Sequence, residues 1–303
     1  MAEPLPNVHR TPDDRFEDLP GFAHQPSYRE WEGLRLAHVD VGEGDPVVLL
    51  HGEPTWSFLW RHVIDELVPA GHRCIAPDLP GFGRSDKPLD DWYTYDRLVA
   101  SVVDLFVQLD LHDVTLVVHD WGGPVGLRVA TTEMAHRISR LVVMDSGVFT
   151  GTQPMGETWQ AFRQFVDSTP DLPIGFLVQS GVHGGLDDAV ALAYEAPFDT
   201  IDAKGGPRAL PGLIPQTPDA PGAPEGRDVV RELAADTRPM LLLWAEHDTV
   251  LPLDGPGRQM EKLLPLAQPL KLIAGAGHFL QEDCGEQVGA AISAWLGSIE
   301  GLE

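Results

Sequence analysis

Three residues of this chain have the types and spacing for nucleophilic chemistry: Asp120, Asp248 and His278. Asp120 stands in VVHDWGG (117–123), where a β-branched run stops and two glycines open a helical stretch. That pattern predicts a sharp strand-to-helix turn that lifts one side chain above the sheet edge, with a helix N-terminus behind it. Serine is the usual occupant, and a carboxylate there is either an ionised nucleophile or an ordinary helix N-cap. His278, in GAGHFLQED (274–282), follows the last predicted strand and precedes the last predicted helix. The chain order nucleophile, acid, histidine puts a base there. Asp248 closes the preceding strand in LLLWAEHDTVLP (241–252). A carboxylate in that place accepts the Nδ1 proton of the imidazole and stabilises the imidazolium; His247 beside it reads as a surface or packing residue. Glu53, in LLHGEPTWS (49–57), follows a buried strand. Its backbone N–H, with that of Trp121, would form an oxyanion hole, while its side chain is either a site group or a solvated loop charge.

These positions can meet only if strands carry them to a common edge. Residues 28–41 alternate enough to read as strands, with Glu32-Gly33 as the turn. PVVLLHG (46–52) is a continuous aliphatic run, the mark of a strand buried on both faces of a parallel sheet. A helix is expected over 57–70, ended by Gly71, then a strand over 73–78 and a helix over 94–111. A strand over 114–120, a helix over 122–136 and a strand over 140–144 continue the rhythm. Alternation at this spacing predicts an α/β fold, a mostly parallel doubly wound sheet. The rhythm breaks over about 148–228, where only amphipathic helical pieces such as 157–166 and 186–194 are expected. The stretch Lys204–Gly226, with prolines at 207, 211, 215, 218, 221 and 224, reads as a loop-rich return. Strands resume at 240–244 and 270–273, and a helix over 281–296 closes the chain. The expected organisation is a main domain in two parts, 1–147 and 229–303, with a helical cap of 148–228 over the carboxyl edge of the strands, where ligands bind in such sheets.

Composition removes other classes. The 303 residues carry 21 Lys and Arg against 46 Asp and Glu, a net charge of −25. Such a surface repels phosphate backbones and anionic lipid, so neither nucleic acid nor a membrane is an expected partner. Lysine occurs only at 87, 204, 262 and 271. Cys74 and Cys284 form no disulfide framework and have no zinc spacing, and GFGRS (81–85) lacks the spacing and lysine of a P-loop. No metal and no cofactor are expected. The N-terminal residues lack the basic and apolar regions of a signal peptide, and no apolar run approaches the roughly 20 residues of a membrane span. A cytoplasmic monomer or weak dimer is the expectation.

Taken together, RTPDDRFEDLPGF, HGEPTWS, APDLPGFGRSDKP, HDWGG, AYEAPF and GHFLQED resemble the haloalkane dehalogenase family of α/β hydrolases over nearly the whole chain. HGEPTW with D-W-G-G and a late-strand Asp resembles the branch that has an Asp–His–Asp triad and two halide-binding tryptophans. The resemblance implies Asp120 as nucleophile, His278 as base, Asp248 as orienting acid, Trp121 as first halide ligand, and Trp159 in GETWQAFRQF as the second. It implies a small apolar halogenated substrate, with halide and water as the other participants. Candidate pocket walls are Trp56, Phe162, Phe165, Phe176, Leu213, Val250, Leu251 and Phe279, several of which would serve equally as core. Two departures stand out. His119 precedes the nucleophile where many members have Gln, and either titrates near the site or packs. Asp145 ends the strand before the cap, the position from which the other branch takes its acid, so two carboxylates compete. An epoxide hydrolase shares the nucleophile and triad, but its alkoxide leaving group needs acidic hydroxyls, usually two cap tyrosines, and only Tyr194 lies in this cap. A non-catalytic binding protein on the same fold is the third reading.

Overall fold

The alternating residues 26–41 fold into a hairpin of β1 (Pro26–Trp31) and β2 (Leu34–Val41), antiparallel, with Trp31 opposite Leu34. Its two turn residues, Glu32 (φ 48°) and Gly33 (φ 80°), are both left-handed, the conformation that matches the twist of the flanking strands. The computed structural model describes residues 5–300. Six more strands follow: β3 (Pro46–Leu50), β4 (Arg73–Pro77), β5 (Val114–His119), β6 (Ile138–Met144), β7 (Met240–Ala245) and β8 (Lys271–Ile273). The sheet order is β1-β2-β4-β3-β5-β6-β7-β8, parallel from β4 onward. β5 and β7 are buried at every position, which is why they read as unbroken apolar runs rather than as alternations.

The order reverses direction around β3: the chain leaves it towards β4 and returns to its other side as β5. A crevice opens beyond the carboxyl ends of strands at such a switch point. The loop carrying Glu53 leaves β3 and the turn carrying Asp120 leaves β5, so both line it.

Helices cover the sheet in two groups. α1 (Arg61–Leu67) packs on the last helix, which spans Leu280–Glu300; α2 (Tyr95–Gln108) packs on α3 (Gly122–Arg128). Between β6 and β7 the described chain has no strand. It forms α4 (Glu157–Ser168), α5 (Ile174–Gly181), α6 (Asp188–Glu195), α7 (Gly205–Leu213) and α8 (Ala223–Ala234). α9 (Arg258–Leu263) follows β7, and the Leu280–Glu300 helix is α10, interrupted at Cys284. None of the described helices is long and apolar enough to cross a membrane.

The proline-rich stretch 204–226 is more helical than its composition suggests. Pro207 lies in the first turn of α7, and Pro224 is at the start of α8, where a missing N–H breaks no helical bond. The expected helix over 57–70 is shorter, with a 3-10 turn at Ser57–Trp60 preceding α1.

One buried polar cluster ties the insert to the sheet-bearing part. Tyr194 of α6 hydrogen-bonds Glu282 of α10, and the Arg61 guanidinium engages both Glu282 oxygens, the Nη2–Oε2 contact being 2.7 Å. The Arg61 guanidinium also lies 4.0 Å above the Phe58 ring. Arg61 and Glu282 neutralise each other, and lifting α6 would break the buried hydrogen bond that the Tyr194 hydroxyl makes to this pair.

Close packing of α3 on β3 makes a local prediction. A Cβ at Gly122 would collide with the main-chain oxygen of Leu50, whereas one at Gly156, before α4, would meet nothing within 4 Å. Gly122→Ala is therefore expected to lower unfolding stability by about 1–3 kcal/mol in denaturant titration. Gly156→Ala should leave it within about 0.5 kcal/mol.

Candidate active site

The turn after β5 holds Asp120 at φ 48°, a left-handed conformation that costs a non-glycine residue of order 1–3 kcal/mol and persists only where the surroundings enforce it. They do so here through main-chain bonds. Asp120 N–H donates to the Asp145 carbonyl at 3.2 Å, Gly123 N–H donates to the Asp120 carbonyl at 2.9 Å, and Ser146 Oγ donates to the same oxygen at 2.6 Å. The Asp120 side chain does not cap α3. Its Oδ1 accepts the Glu53 N–H at 2.7 Å, and the Trp121 N–H also reaches its carboxylate. Gly52 is required beside it, because a Cβ there would run into Oδ1.

His278 Nε2 lies 3.5 Å from Asp120 Oδ2, and its Nδ1 is 2.9 Å from Asp248 Oδ2. The other Asp248 oxygen accepts the N–H groups of Val250 (2.7 Å) and Leu251 (2.9 Å), so the turn after β7 fixes the carboxylate from behind. The imidazole is 2% exposed. Burial alone would push its pKa down, but the carboxylates of Asp248 and Asp120 outweigh burial and hold it well above the usual histidine value. Burial likewise opposes ionisation of Asp120. The hydrogen bond and charge of His278, aided by His119 and the Trp121 N–H, bring its pKa below the usual aspartate range. Asp248 is lowered in the same manner. These directions favour an imidazolium between two carboxylates; His278 and Asp248 are buried, while the Asp120 side chain stays 16% exposed.

Of the two competing acids, Asp248 holds the imidazole. Asp145 is wholly buried and accepts the Ala245 N–H at 3.0 Å; its neighbour is Asp248 rather than His278 Nδ1. His119 packs. Its Nε2 pairs with the His278 carbonyl at 2.8 Å, its ring centroid is 4.9 Å from that of His278, and burial pushes its pKa down to about 4, so it is neutral. Nε2 therefore carries the proton and donates it to the carbonyl.

Trp121 is 5% exposed, with its ring 5.7 Å from that of Phe149. A small cleft beside it is lined by Tyr95, Phe149, Leu213 and Pro215. Phe149 had no sequence signal beyond following β6. Trp159 is half-buried on α4, and its indole N–H is buried without an acceptor among the described residues. An unpaired buried donor costs about 1–3 kcal/mol unless something fills it. The Glu53 side chain is buried, not solvated; burial and the Asp120 charge push its pKa well above the usual glutamate value.

The expected pocket walls separate into three groups. Leu213 lies beside Trp121, and Phe279 packs between the His278 ring, 5.0 Å away, and Gly181 of α5. Phe162 and Leu251 are part-buried against the core, and the Leu251 carbonyl accepts the Trp244 indole N–H. The others depart from expectation. Phe165 (37%) and Phe176 (62%) turn substantially to solvent, because the buried faces of α4 and α5 are taken by Val166, Ile174 and Val178, and Val250 (46%) is exposed on the loop after β7. Trp56 is core: its ring stacks on Phe58 and meets Phe16 and Phe22 edge-on. The periodicity of a short cap helix does not reveal which side faces the sheet.

Residues 45–174 match the family model of the alpha/beta hydrolase fold. The chain is 42% identical over 291 residues to a haloalkane dehalogenase of Psychrobacter cryohalolentis, covering 93% of this chain and 95% of that protein. It is 43% identical over 314 residues to haloalkane dehalogenase 1 of Mycobacterium tuberculosis, with 95% and 98% covered. Among solved structures, the tetrameric haloalkane dehalogenase DpaA from Paraglaciecola agarilytica superposes with a TM-score of 0.88 at 34% identity, covering 94% of this chain and 97% of that one. With its sheet order, its Asp120–His278–Asp248 cluster over the carboxyl edge of the sheet and this degree of likeness over nearly its full length, the chain belongs to the haloalkane dehalogenase family of α/β hydrolases.

Proposed function

We propose that this protein hydrolyses small apolar haloalkanes to an alcohol and halide through a covalent ester on Asp120. The observation that carries the reading is the ionised, buried Asp120 carboxylate in line with the His278–Asp248 pair. A serine nucleophile would have to shed a proton; this carboxylate is already charged, so no base is needed for attack on sp³ carbon. Asp120 displaces halide from behind, and the leaving group needs no proton, only donors where negative charge develops. The indole N–H groups of Trp121 and Trp159 are suited to this, because tryptophan offers a donor and no acceptor. The unpaired Trp159 N–H supports that role.

Alkylation then changes the electrostatics of the base. The ester is neutral, so His278 loses one of the two carboxylates that keep it protonated, and its pKa falls. It releases a proton and becomes able to take one from water attacking the ester carbonyl. The Glu53 and Trp121 N–H groups, which hold the Asp120 carboxylate at rest, would hold the oxyanion. Collapse of the tetrahedral intermediate restores Asp120 and yields the alcohol.

Epoxide opening is disfavoured by the fate of the phenols. Tyr194 bonds Glu282, Tyr93 bonds the Pro88 carbonyl, Tyr95 bonds the Pro124 carbonyl, and Tyr28 is on the surface beside Arg35. Each hydroxyl or ring is thus engaged elsewhere, and none is placed to donate to the alkoxide that would form as Asp120 opened an epoxide ring.

His278→Phe should release one equivalent of bromide per active site from 1-bromobutane and then stop, with an alkylated Asp120 detectable by mass spectrometry. Continued turnover would remove His278 from the role of base. Trp159→Phe should slow carbon–halogen cleavage by about 10²–10³-fold, the loss typical of one charge-stabilising donor, while hydrolysis of a preformed ester proceeds. Unchanged cleavage would place the second halide donor elsewhere. In Asp248→Asn the imidazole loses its acceptor, and a fall in turnover on the order of 10⁴-fold is expected, as for the corresponding acid of a serine-hydrolase triad.

A further inference from the structure

Asp145 remains to be explained. It is a wholly buried carboxyl at the end of β6, held at φ 35°, with no Lys or Arg paired to it among the described residues. The groups that face it come from each neighbouring strand end. The Ala245 N–H of β7 lies 3.0 Å from Oδ1 and 3.3 Å from Oδ2, and the Asp120 N–H occupies its main-chain oxygen. Beyond β7 stands Asp248, whose carboxyl is within hydrogen-bonding reach, and beyond β8 stands His278. His119 on β5 is neutral.

Two counts restrict what Asp145 can be. The first is of lone pairs. A carboxylate has roughly four acceptor sites. On Asp248, Oδ1 spends two on Val250 and Leu251, and Oδ2 spends one on His278, which leaves one vacant. The second count is of charge. Asp120 and Asp248 already set two negative charges against one imidazolium, and Asp248 and His278 are buried. A third carboxylate in contact with Asp248 would be uncompensated, and adjacent buried carboxylates do not both ionise.

We infer that Asp145 is a protonated carboxylic acid that donates its O–H to the vacant site on Asp248, and so acts as a positioning residue for the His278–Asp248 pair rather than as a rival acid. The direction of its acidity agrees: burial, then the Asp248 charge, raises the Asp145 pKa well above the usual aspartate value. The bond has two effects. It fixes the plane of the Asp248 carboxylate through the second acceptor site of Oδ2, the oxygen that also holds His278. It also draws charge from that carboxylate, which makes the imidazole less basic and lets it give up its proton once Asp120 is alkylated.

The kinetic part of this inference rests on His278 being the base; the spectroscopic part does not. Asparagine reproduces the neutral acid, with an N–H₂ donor towards Asp248 and an oxygen towards Ala245, and tolerates a left-handed backbone. Leucine removes both polar functions. The infrared difference between the wild-type protein and Asp145→Asn at neutral pH, without substrate, should contain a protonated-carboxyl C=O band that shifts in D₂O. Only a carboxylate band in that difference would overturn the inference whatever the enzyme's activity. In turnover of 1-bromobutane against pH, Asp145→Asn should stay within about threefold of wild type with its acidic limb unmoved. Asp145→Leu, where it folds, should move that limb upward by about one pH unit, because an unrelieved Asp248 makes His278 harder to deprotonate. A downward shift in Asp145→Asn would mean that an ionised carboxylate had been removed beside His278, and would contradict the inference. A loss in Asp145→Asn as deep as that in Asp248→Asn would contradict it too. If infrared supports the acid but His278→Phe still turns over, the base assignment fails and the Asp145 proton stands.

Discussion

An imidazolium shared between two buried carboxylates is the interaction on which this structure turns. Each member of Asp120–His278–Asp248 would be costly to bury alone. Together, and with backbone N–H groups on both carboxylates, they balance the charges of a largely buried site. The two carboxylates that flank His278 outweigh its burial and raise its basicity, so in the proposed reaction it cannot act as a base at once. In the proposed reaction, loss of the Asp120 charge by alkylation would resolve the conflict and set the order of the two half-reactions through electrostatics.

The sheet supplies the precision this demands. Glu53 and Asp120 come from loops that leave adjacent parallel strands at the switch point, and Asp145, Asp248 and His278 follow the next strands in order across the sheet. A rigid edge of five successive strand ends fixes groups that the sequence scatters over more than two hundred positions. The left-handed residues at Asp120 and Asp145 are the local cost of bringing side chains back over that edge. The Tyr194–Glu282–Arg61 cluster serves the insert in a comparable way, seating α6 through a buried hydrogen bond.

What could be read from the sequence followed from periodicity and punctuation. Buried strands such as 114–119 and 240–245 are unambiguous because a parallel sheet leaves no face for polar residues, and each strand end then pointed to the residue that follows it. The glycines around Asp120 were legible for the same reason. The insert was not. Prolines at 207 and 224 sit in first turns, where they favour a helix rather than forbid it, and composition alone reads them as breaks. Phe176 and Val250 looked like pocket walls because they are apolar, yet apolarity does not say which way a short helix or loop faces. Nor could any local pattern show that Asp145 meets Asp248, a contact between residues about a hundred positions apart.

One experiment addresses the covalent account directly: a single turnover of excess enzyme with a bromoalkane in ¹⁸O-enriched water, followed by mass spectrometry of the peptide bearing Asp120 and of the alcohol. Attack by Asp120, then by water at the ester carbonyl, predicts one heavy oxygen in the Asp120 carboxyl group and none in the alcohol. A labelled alcohol with an unlabelled Asp120 would mean that water strikes the carbon itself, and would contradict the account.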